Sequence, residues 1–261
     1  IGFVFGPAIG GLTGAISPRL PFWIAASLSL LNALYGFFVL PESLSPDKRS
    51  SFEWKKANPL GSIGLLSTSK VLFLLAIVEF LSFIAHESLP TTFVIYTTHR
   101  YHWDEKTVGL VFALVGVLTG LVQGGTVAKA VRFIGEAQSI LLGLVFGMIA
   151  FFLYGYAETT TLFIVGLIIS AGWGISGPTL QGVMSKQVSD RDQGKLQGAI
   201  GSIRSISSLL GPTVFSLPFA QALKPTNTWI PAGVPFYLAS FFLFLSFLLC
   251  CFIFASRAAQ R

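Results

Sequence analysis

The amino-acid sequence predicts an all-α, polytopic membrane protein. Of its 261 residues, 53% are hydrophobic and 11% are charged, whereas a soluble domain carries about 25% charged residues. Nearly uncharged apolar stretches recur along the whole chain, and each is about as long as the roughly 20 residues that a spanning helix needs. These observations exclude a soluble enzyme, a nucleic-acid-binding protein and a disulfide-stapled secreted module. They also exclude a transmembrane β-barrel, whose strands alternate apolar and polar residues.

The apolar stretches predict eight membrane spans. Glu79 and Glu87 interrupt the third span, and Arg204 interrupts the seventh. Ile1 already lies inside an apolar stretch, and no charged segment of the kind that opens a signal peptide precedes it. We therefore expect the sequence to be a fragment whose beginning is missing. The predicted spans are 1–16, 21–40, 71–98, 107–128, 137–157, 160–183, 196–223 and 234–255.

The distribution of lysine and arginine predicts the orientation in the membrane. Twelve of the 17 basic residues fall in the linker 41–70, the loops 129–136 and 184–195, and the C-terminal tail, all on one side of the predicted spans. Four fall on the other side, and Arg204 lies within a span. Because cytoplasmic loops are enriched in these residues, we expect the linker and the C-terminus to be cytoplasmic.

A short internal repeat indicates how the spans are grouped. Gly6-Pro7 precedes a span that begins Pro21-Phe22-Trp23, and Gly211-Pro212 precedes a span that begins Pro235-Phe236-Tyr237. The two copies lie six spans apart in the same orientation, as in transporters built from two parallel six-helix halves. We therefore assign 1–40 to the last two helices of an N-terminal half, 41–70 to a central linker, and 71–261 to a complete C-terminal half with a short tail. The first four helices are then absent.

The first span carries a regular stripe of small residues. Gly2, Gly6 and Gly10 recur every four residues, with Pro7 and Gly11 beside them. Small residues on one helix face permit close helix packing in lipid, and Pro7 removes a backbone donor and bends the helix. We interpret this pattern as a bent interface helix that sets how easily two halves rock. The alternative is that the stripe is only a packing face.

These residues resemble a known family. Gly2-x-x-x-Gly6-Pro7-x-x-Gly10-Gly11 matches the antiporter motif in the fifth helix of major facilitator drug/proton antiporters, and the chain is similar throughout to Tet-type (tetracycline-resistance-like) members. The resemblance implies the major facilitator fold, helices five to twelve, and export of a drug-like amphipathic molecule in exchange for protons across a bacterial inner membrane. Further segments that carry it are 89–96, 100–103, 177–181, 185–188, 193–198 and Gly211-Pro212.

Ionisable residues inside the third span are candidates for proton coupling. Glu79, His86 and Glu87 are separated by seven and eight residues and therefore lie near one helix face. Pro90 follows and is expected to kink or unwind the helix, because it leaves the carbonyl of His86 without its donor. We predict that Glu87 exchanges the proton, that His86 modulates it, and that Glu79 is a second candidate. Alternatively, one glutamate pairs structurally with Arg204.

Polar residues in other spans are candidates for a substrate cavity. Arg204 lies on a stripe with Gln197 and Gly211 in an unusually polar span, and Gln123 and Gln181 occur in two further spans. Charged groups within the bilayer tend to face a cavity or a partner. Arg204 either attracts an anionic or zwitterionic substrate or neutralises a glutamate, and the residues leave both open. The amides either contact substrate or bond neighbouring helices.

One departure from the family bears on the substrate. Tet-type tetracycline exporters carry an acidic residue in the ninth helix, and the matching region 143–157 has none, which argues against tetracycline. We expect a small-molecule substrate, protons and the lipid bilayer as partners, and no nucleic acid, metal, cofactor or enzymatic activity. The alternatives are a metabolite transporter on the same fold, or a truncated or non-transporting membrane relative.

Overall fold

In the computed structural model, helices account for nearly all of the described chain. The structure describes residues 6, 9–10, 13–14, 16–17, 19–41, 63–227 and 229–258, with side chains as far as 256. Short 3₁₀ turns occur at Gly64–Thr68, Ala171–Ile175 and Asp190–Asp192, and a π turn occurs at Val122–Thr126. The α-helices are α1 (Leu20–Phe38), α2 (Lys70–Tyr101), α3 (Glu105–Leu121), α4 (Val127–Tyr156), α5 (Thr160–Ser170), α6 (Ser176–Ser185), α7 (Gln193–Ala222) and α8 (Val234–Ala258).

Five helical segments of the described chain are long and apolar enough to cross a bilayer: 20–38, 70–101, 105–156, 160–185 and 234–256. The 52-residue segment 105–156 corresponds to two predicted spans, because Gly135 breaks it with a φ of 81°. A positive φ of this kind favours glycine, which lacks the Cβ that would clash. The predicted loop 129–136 is therefore shorter than expected, since the chain stays helical up to Gly135. Helix α7 is 30 residues long and corresponds to the predicted span 196–223. It is not one of the five segments, because its serines, Gln197 and Arg204 make it less apolar than they are.

Helix α2 lies at the centre of the packed helices and contacts both α7 and α8, and α8 also packs against α4. Glycines permit the close approach of α4 and α8, since a Cβ at Gly233 would overlap the backbone of Gly155.

Tyrosine hydroxyls bond to backbone carbonyls at one end of the helices. Tyr96 Oη donates to the carbonyl oxygen of Tyr154 at 3.0 Å, and Tyr101 Oη donates to that of Ala157 at 2.7 Å. Helix α1, by contrast, buries none of its residues.

At the opposite end, short polar contacts connect the turns between helices. Lys186 forms an ion pair with Glu136, beside the Gly135 turn. Asp192, which precedes α7, accepts hydrogen bonds from Lys195 Nζ at 2.7 Å and from Ser189 Oγ at 2.8 Å. These contacts hold the start of α7 in place, and a carboxylate at a helix N-terminus is further stabilised by the helix dipole.

The pKa of Asp192 gives a testable pH dependence. The hydrogen bonds from Lys195 and Ser189 lower the pKa of Asp192 below its ordinary value. Its ionised form therefore stabilises the folded state at neutral pH, and this contribution is lost as the pH falls from the unfolded-state pKa toward the lowered folded-state pKa. We expect Asp192→Asn to lower the thermal unfolding midpoint at pH 7 and the difference from wild type to shrink below pH 4. Glu158→Gln, at an exposed loop position, is the control, and a constant difference across pH would contradict the prediction.

Candidate functional site at the middle of the helices

The predicted proton-coupling residues lie on one face of α2. Glu79, Phe83 and Glu87 recur every four residues, so that their side chains stack along the helix. His86 and Glu87 lie close to the midpoint of the 32-residue helix, and Glu79 lies nearer its start. Helix α2 continues through Pro90. Of the two expected outcomes at this proline, unwinding is therefore not observed, and a kink stays a prediction.

Glu87 is held by α7. Ser208 Oγ donates a hydrogen bond to Glu87 Oε1 at 2.6 Å, and Glu87 itself is half-buried. Gly211 is buried one turn further along α7, and a Cβ at this position would overlap Cβ of Glu87. The absence of a side chain at Gly211 therefore lets α7 approach α2 closely enough for the Ser208–Glu87 hydrogen bond.

Glu79 is held by a different helix and in a different way. Gln181 Nε2, from α6, donates to Glu79 Oε1 at 2.8 Å, and Glu79 is only 2% exposed. The two carboxylates of α2 thus have separate environments: one is enclosed and bonded to an amide, and the other is partly open and bonded to a hydroxyl.

Arg204 faces α2 between the two carboxylates. Its guanidinium lies over the ring of Phe83, 5.0 Å from the centroid, which is a cation–π contact. The side chain is exposed, and the ion pairs found among the described residues do not include it. The alternative of a structural ion pair with Glu79 or Glu87 is therefore not observed. Instead, α7 presents one exposed face that carries Gln197, Gly201, Arg204, Ser205 and Ser208.

Two helix irregularities pack against each other, and one of them contacts His86. The ring of His86 packs against that of Trp173 with centroids 5.9 Å apart, and Trp173 belongs to the 3₁₀ turn at Ala171–Ile175. Gln123 lies in the π turn, where a Cβ on neighbouring Gly174 would be 3.9 Å from Gln123 Nε2. Such π turns often occur at functional sites, and irregular backbone at membrane depth is tolerated where it is buried in protein or lines a cavity.

The structure brings together only part of the predicted site. Glu87 and Arg204 both lie where α2 and α7 pack together, Glu87 bonded to Ser208 and Arg204 over Phe83. His86 instead packs on Trp173, Gln181 donates to Glu79, and Gln197 lies two turns from Arg204 along α7. Trp173 and Phe83 were not predicted as site residues. The only sequence feature that could have indicated them is an aromatic residue one or two helical turns from a polar one. Pro212 lies within α7 and is exposed.

The small-residue stripe of the first predicted span stays a prediction. Gly2, Pro7 and Gly11 lie outside the described residues. A Cβ added at Gly6 or Gly10 would meet no atom of the described chain within 4 Å. The described residues therefore do not test whether this stripe packs against another helix.

Comparison with known proteins shows the family to which the chain belongs. The model of the Major Facilitator Superfamily matches residues 1–212. The chain therefore belongs to the Major Facilitator Superfamily, whose members are multi-pass membrane transporters of small molecules.

The chain is also similar in sequence to individual members of this family. The chain is 32% identical over 240 residues to the class C tetracycline resistance protein of Escherichia coli, covering 91% of this chain and 60% of that protein. It is 34% identical over 226 residues to the class D protein of Salmonella ordonez, covering 87% of this chain and 57% of that protein. The chain thus spans about 60% of the length of these relatives.

A solved structure confirms the fold. The human organic anion transporter MFSD10 (TETRAN) superposes with a TM-score of 0.77 at 23% identity, covering 93% of this chain and 59% of that one. The prediction of a partial major facilitator fold, made from the apolar spans and the family motifs, is confirmed.

Proposed function

We propose that this chain is the larger part of a proton-coupled exporter of amphipathic small molecules that works by alternating access. The observation that carries the proposal is Glu87, a carboxylate at the midpoint of a spanning helix whose hydrogen-bond partner is a hydroxyl. An ionisable residue at the centre of a bilayer costs about 2.5–3.5 kcal/mol on the insertion scale. Such a group persists where it faces a cavity or performs a function.

The partner of Glu87 suits a group that gains and loses a proton. A serine hydroxyl donates to an ionised carboxylate and, after rotation, accepts from a protonated one. Ser208 can therefore satisfy Glu87 in both protonation states. Glu79 accepts its hydrogen bond from the amide nitrogen of Gln181 and is only 2% exposed, so protons reach it from water less readily than they reach the half-buried Glu87. We assign proton exchange to Glu87 and a mainly structural contact to Glu79, with His86 as a modulator.

The arrangement of the chain in the membrane is part of the proposal. Residues 71–261 form one six-helix half, 1–40 contribute the last two helices of the other half, and 41–70 connect the halves. The exposed polar face of α7 then lies toward the other half, where a substrate cavity forms in transporters built from parallel repeats. The excess of lysine and arginine supports a cytoplasmic location for the linker and the C-terminus. The similarity to bacterial tetracycline resistance proteins supports an inner membrane as the location of the protein.

The test is proton flux in everted membrane vesicles that contain the full-length transporter and hold an imposed, lumen-acid pH gradient. We expect some members of a panel of amphipathic drugs, tetracycline included, to dissipate the gradient faster than in vesicles that lack the transporter. A panel that produces no transporter-dependent flux would contradict the proposal and favour a metabolite transporter or a non-transporting relative. Strict dependence on one metabolite would favour the metabolite transporter.

A further inference from the structure

We infer that the substrate is a zwitterion, with its cationic group beside Glu87 and its anionic group on Arg204; this rests on the proposed proton-coupled export. The two residues present opposite charges on the same face. Arg204 and Ser208 are four residues apart on α7, and Ser208 contacts Glu87. Because a helix rises about 1.5 Å per residue, the two charged sites are about 6 Å apart along the axis.

The free guanidinium of Arg204 supports the anionic half of this inference. Arg204 is exposed, lies over Phe83, and belongs to none of the ion pairs in the described part of the chain. An arginine at membrane depth requires a counter-charge or a water-filled cavity. A carboxylate or phosphate on the substrate would supply bidentate hydrogen bonds to the planar guanidinium.

The exchange of substrate for protons supports a cationic group on the substrate. In antiport, the proton and the substrate bind alternately, so that one must weaken the binding of the other. A purely anionic substrate on Arg204 would instead be favoured by protonation of Glu87, which removes a nearby negative charge. A cationic group that pairs with the ionised carboxylate of Glu87 competes with the proton, as exchange requires.

In the part of the chain that the structure describes, the groups around Glu87 do not form a second charged site of the same kind. The other ionisable residues near it there are its sequence neighbour His86 and the enclosed Glu79. Helix α6 and the middle of α8, which pack nearby, contain no acidic or basic residue. Phe83 lies under the guanidinium of Arg204, and Trp173 packs on His86, which precedes Glu87 in sequence. This aromatic surface suits a zwitterion with an apolar body.

The inference can be tested with three isosteric probes that bear a naphthyl group. The zwitterion is 4-(trimethylammonio)-3-(2-naphthyl)butanoate. The cation is its primary carboxamide, and the anion has a tert-butyl group in place of the trimethylammonium. In the vesicle assay, we expect the zwitterion to reach half-maximal proton flux at a concentration at least tenfold below that of the cation, and the anion to give no flux.

Variants of Arg204 test whether this residue binds the anionic group of the substrate. We expect Arg204→Gln to raise the half-maximal concentration of the zwitterion at least tenfold and to leave that of the cation unchanged. Arg204→Lys retains the charge and should restore part of the difference. Arg191→Gln, which removes a charge from the exposed turn before α7, should change neither value.

Other results would overturn either the zwitterion assignment alone or both proposals. If the drug panel drives flux but the zwitterion and the cation act equally, and Arg204→Gln alters neither, the zwitterion assignment is overturned and proton-coupled export stands. If Arg204→Gln and Arg204→Lys weaken the response to both probes equally, Arg204 is structural and the assignment is also overturned. If neither the panel nor any probe drives flux in the wild type, both proposals fail.

Discussion

Replacing Glu87 with glutamine is expected to reduce substrate-dependent proton flux to the level of vesicles that lack the transporter. Glutamine has the same shape and can still accept a hydrogen bond from Ser208, which donates to Glu87 at 2.6 Å in the wild type. It cannot bind or release a proton in the physiological range. The measurement is the rate of gradient dissipation on addition of the most active compound of the panel.

The matched control is Glu79→Gln on the same helix. Because Glu79 is enclosed and bonded to Gln181, we expect this variant to retain substrate-dependent flux. The opposite pattern, in which Glu79→Gln abolishes flux and Glu87→Gln does not, would assign the proton to Glu79. Equal thermal unfolding midpoints and equal amounts of protein in the membrane would show that both variants are folded.

Replacing Gly211 with alanine is expected to destabilise the protein and to weaken transport together. The added Cβ would overlap Cβ of Glu87, which is fixed to the backbone of α2 and cannot rotate away. The two helices must therefore separate, and overpacking of this kind costs about 1–3 kcal/mol. Because the same movement pulls Ser208 from Glu87, we expect a lower unfolding midpoint and a lower rate of proton flux.

Gly201→Ala provides the matched control for this prediction. Gly201 lies ten residues earlier on α7, and a Cβ there would meet no atom of the described residues within 4 Å. Alanine also favours a helix over glycine by about 0.5–1 kcal/mol, so Gly201→Ala should leave the unfolding midpoint unchanged or raise it slightly. If Gly211→Ala were as stable as Gly201→Ala, the close approach of α2 and α7 at this position would be contradicted.

The helices and the ionisable residues within them can be predicted from the sequence, because the bilayer restricts which structures a chain can form and where charges can lie. Apolar stretches of spanning length predicted the helices that were found, and the cost of burying charge directed attention to Glu79, Glu87 and Arg204. The face shared by Glu79 and Glu87 also follows from their spacing. The family resemblance then supplied the fold, which the match to residues 1–212 confirms.

The partners of these residues could not be predicted, because they depend on helix packing between distant segments. Ser208 and Glu87 are 121 residues apart in sequence, and Gln181 and Glu79 are 102 apart. One-dimensional spacing placed Gln181 and Arg204 in spans but not opposite any particular residue. The pairing of a glutamate with Arg204, which the sequence left open as an alternative, is reasonable on charge alone. Among the described residues, Glu79 bonds to an amide and Glu87 to a hydroxyl instead.

Local backbone geometry was the other source of error. Helix α2 continues through Pro90 without the unwinding that was one of its two expected outcomes. Tertiary packing can hold a proline within a helix in a membrane. The π turn at Val122–Thr126 was not predicted, although its Gly124-Gly125 pair lowers the preference for a regular helix. Its consequence is that Gln123 lies beside the 3₁₀ turn that contains Trp173.

The central claim is that substrate and proton compete at Glu87, and the most direct measurement is proton release on substrate binding. The purified full-length transporter in weakly buffered detergent solution would be mixed with the most active compound, and a pH indicator would record released protons. The account predicts release of up to one proton per transporter in the wild type and none in Glu87→Gln. Undiminished release from Glu87→Gln, or proton uptake by the wild type, would contradict it.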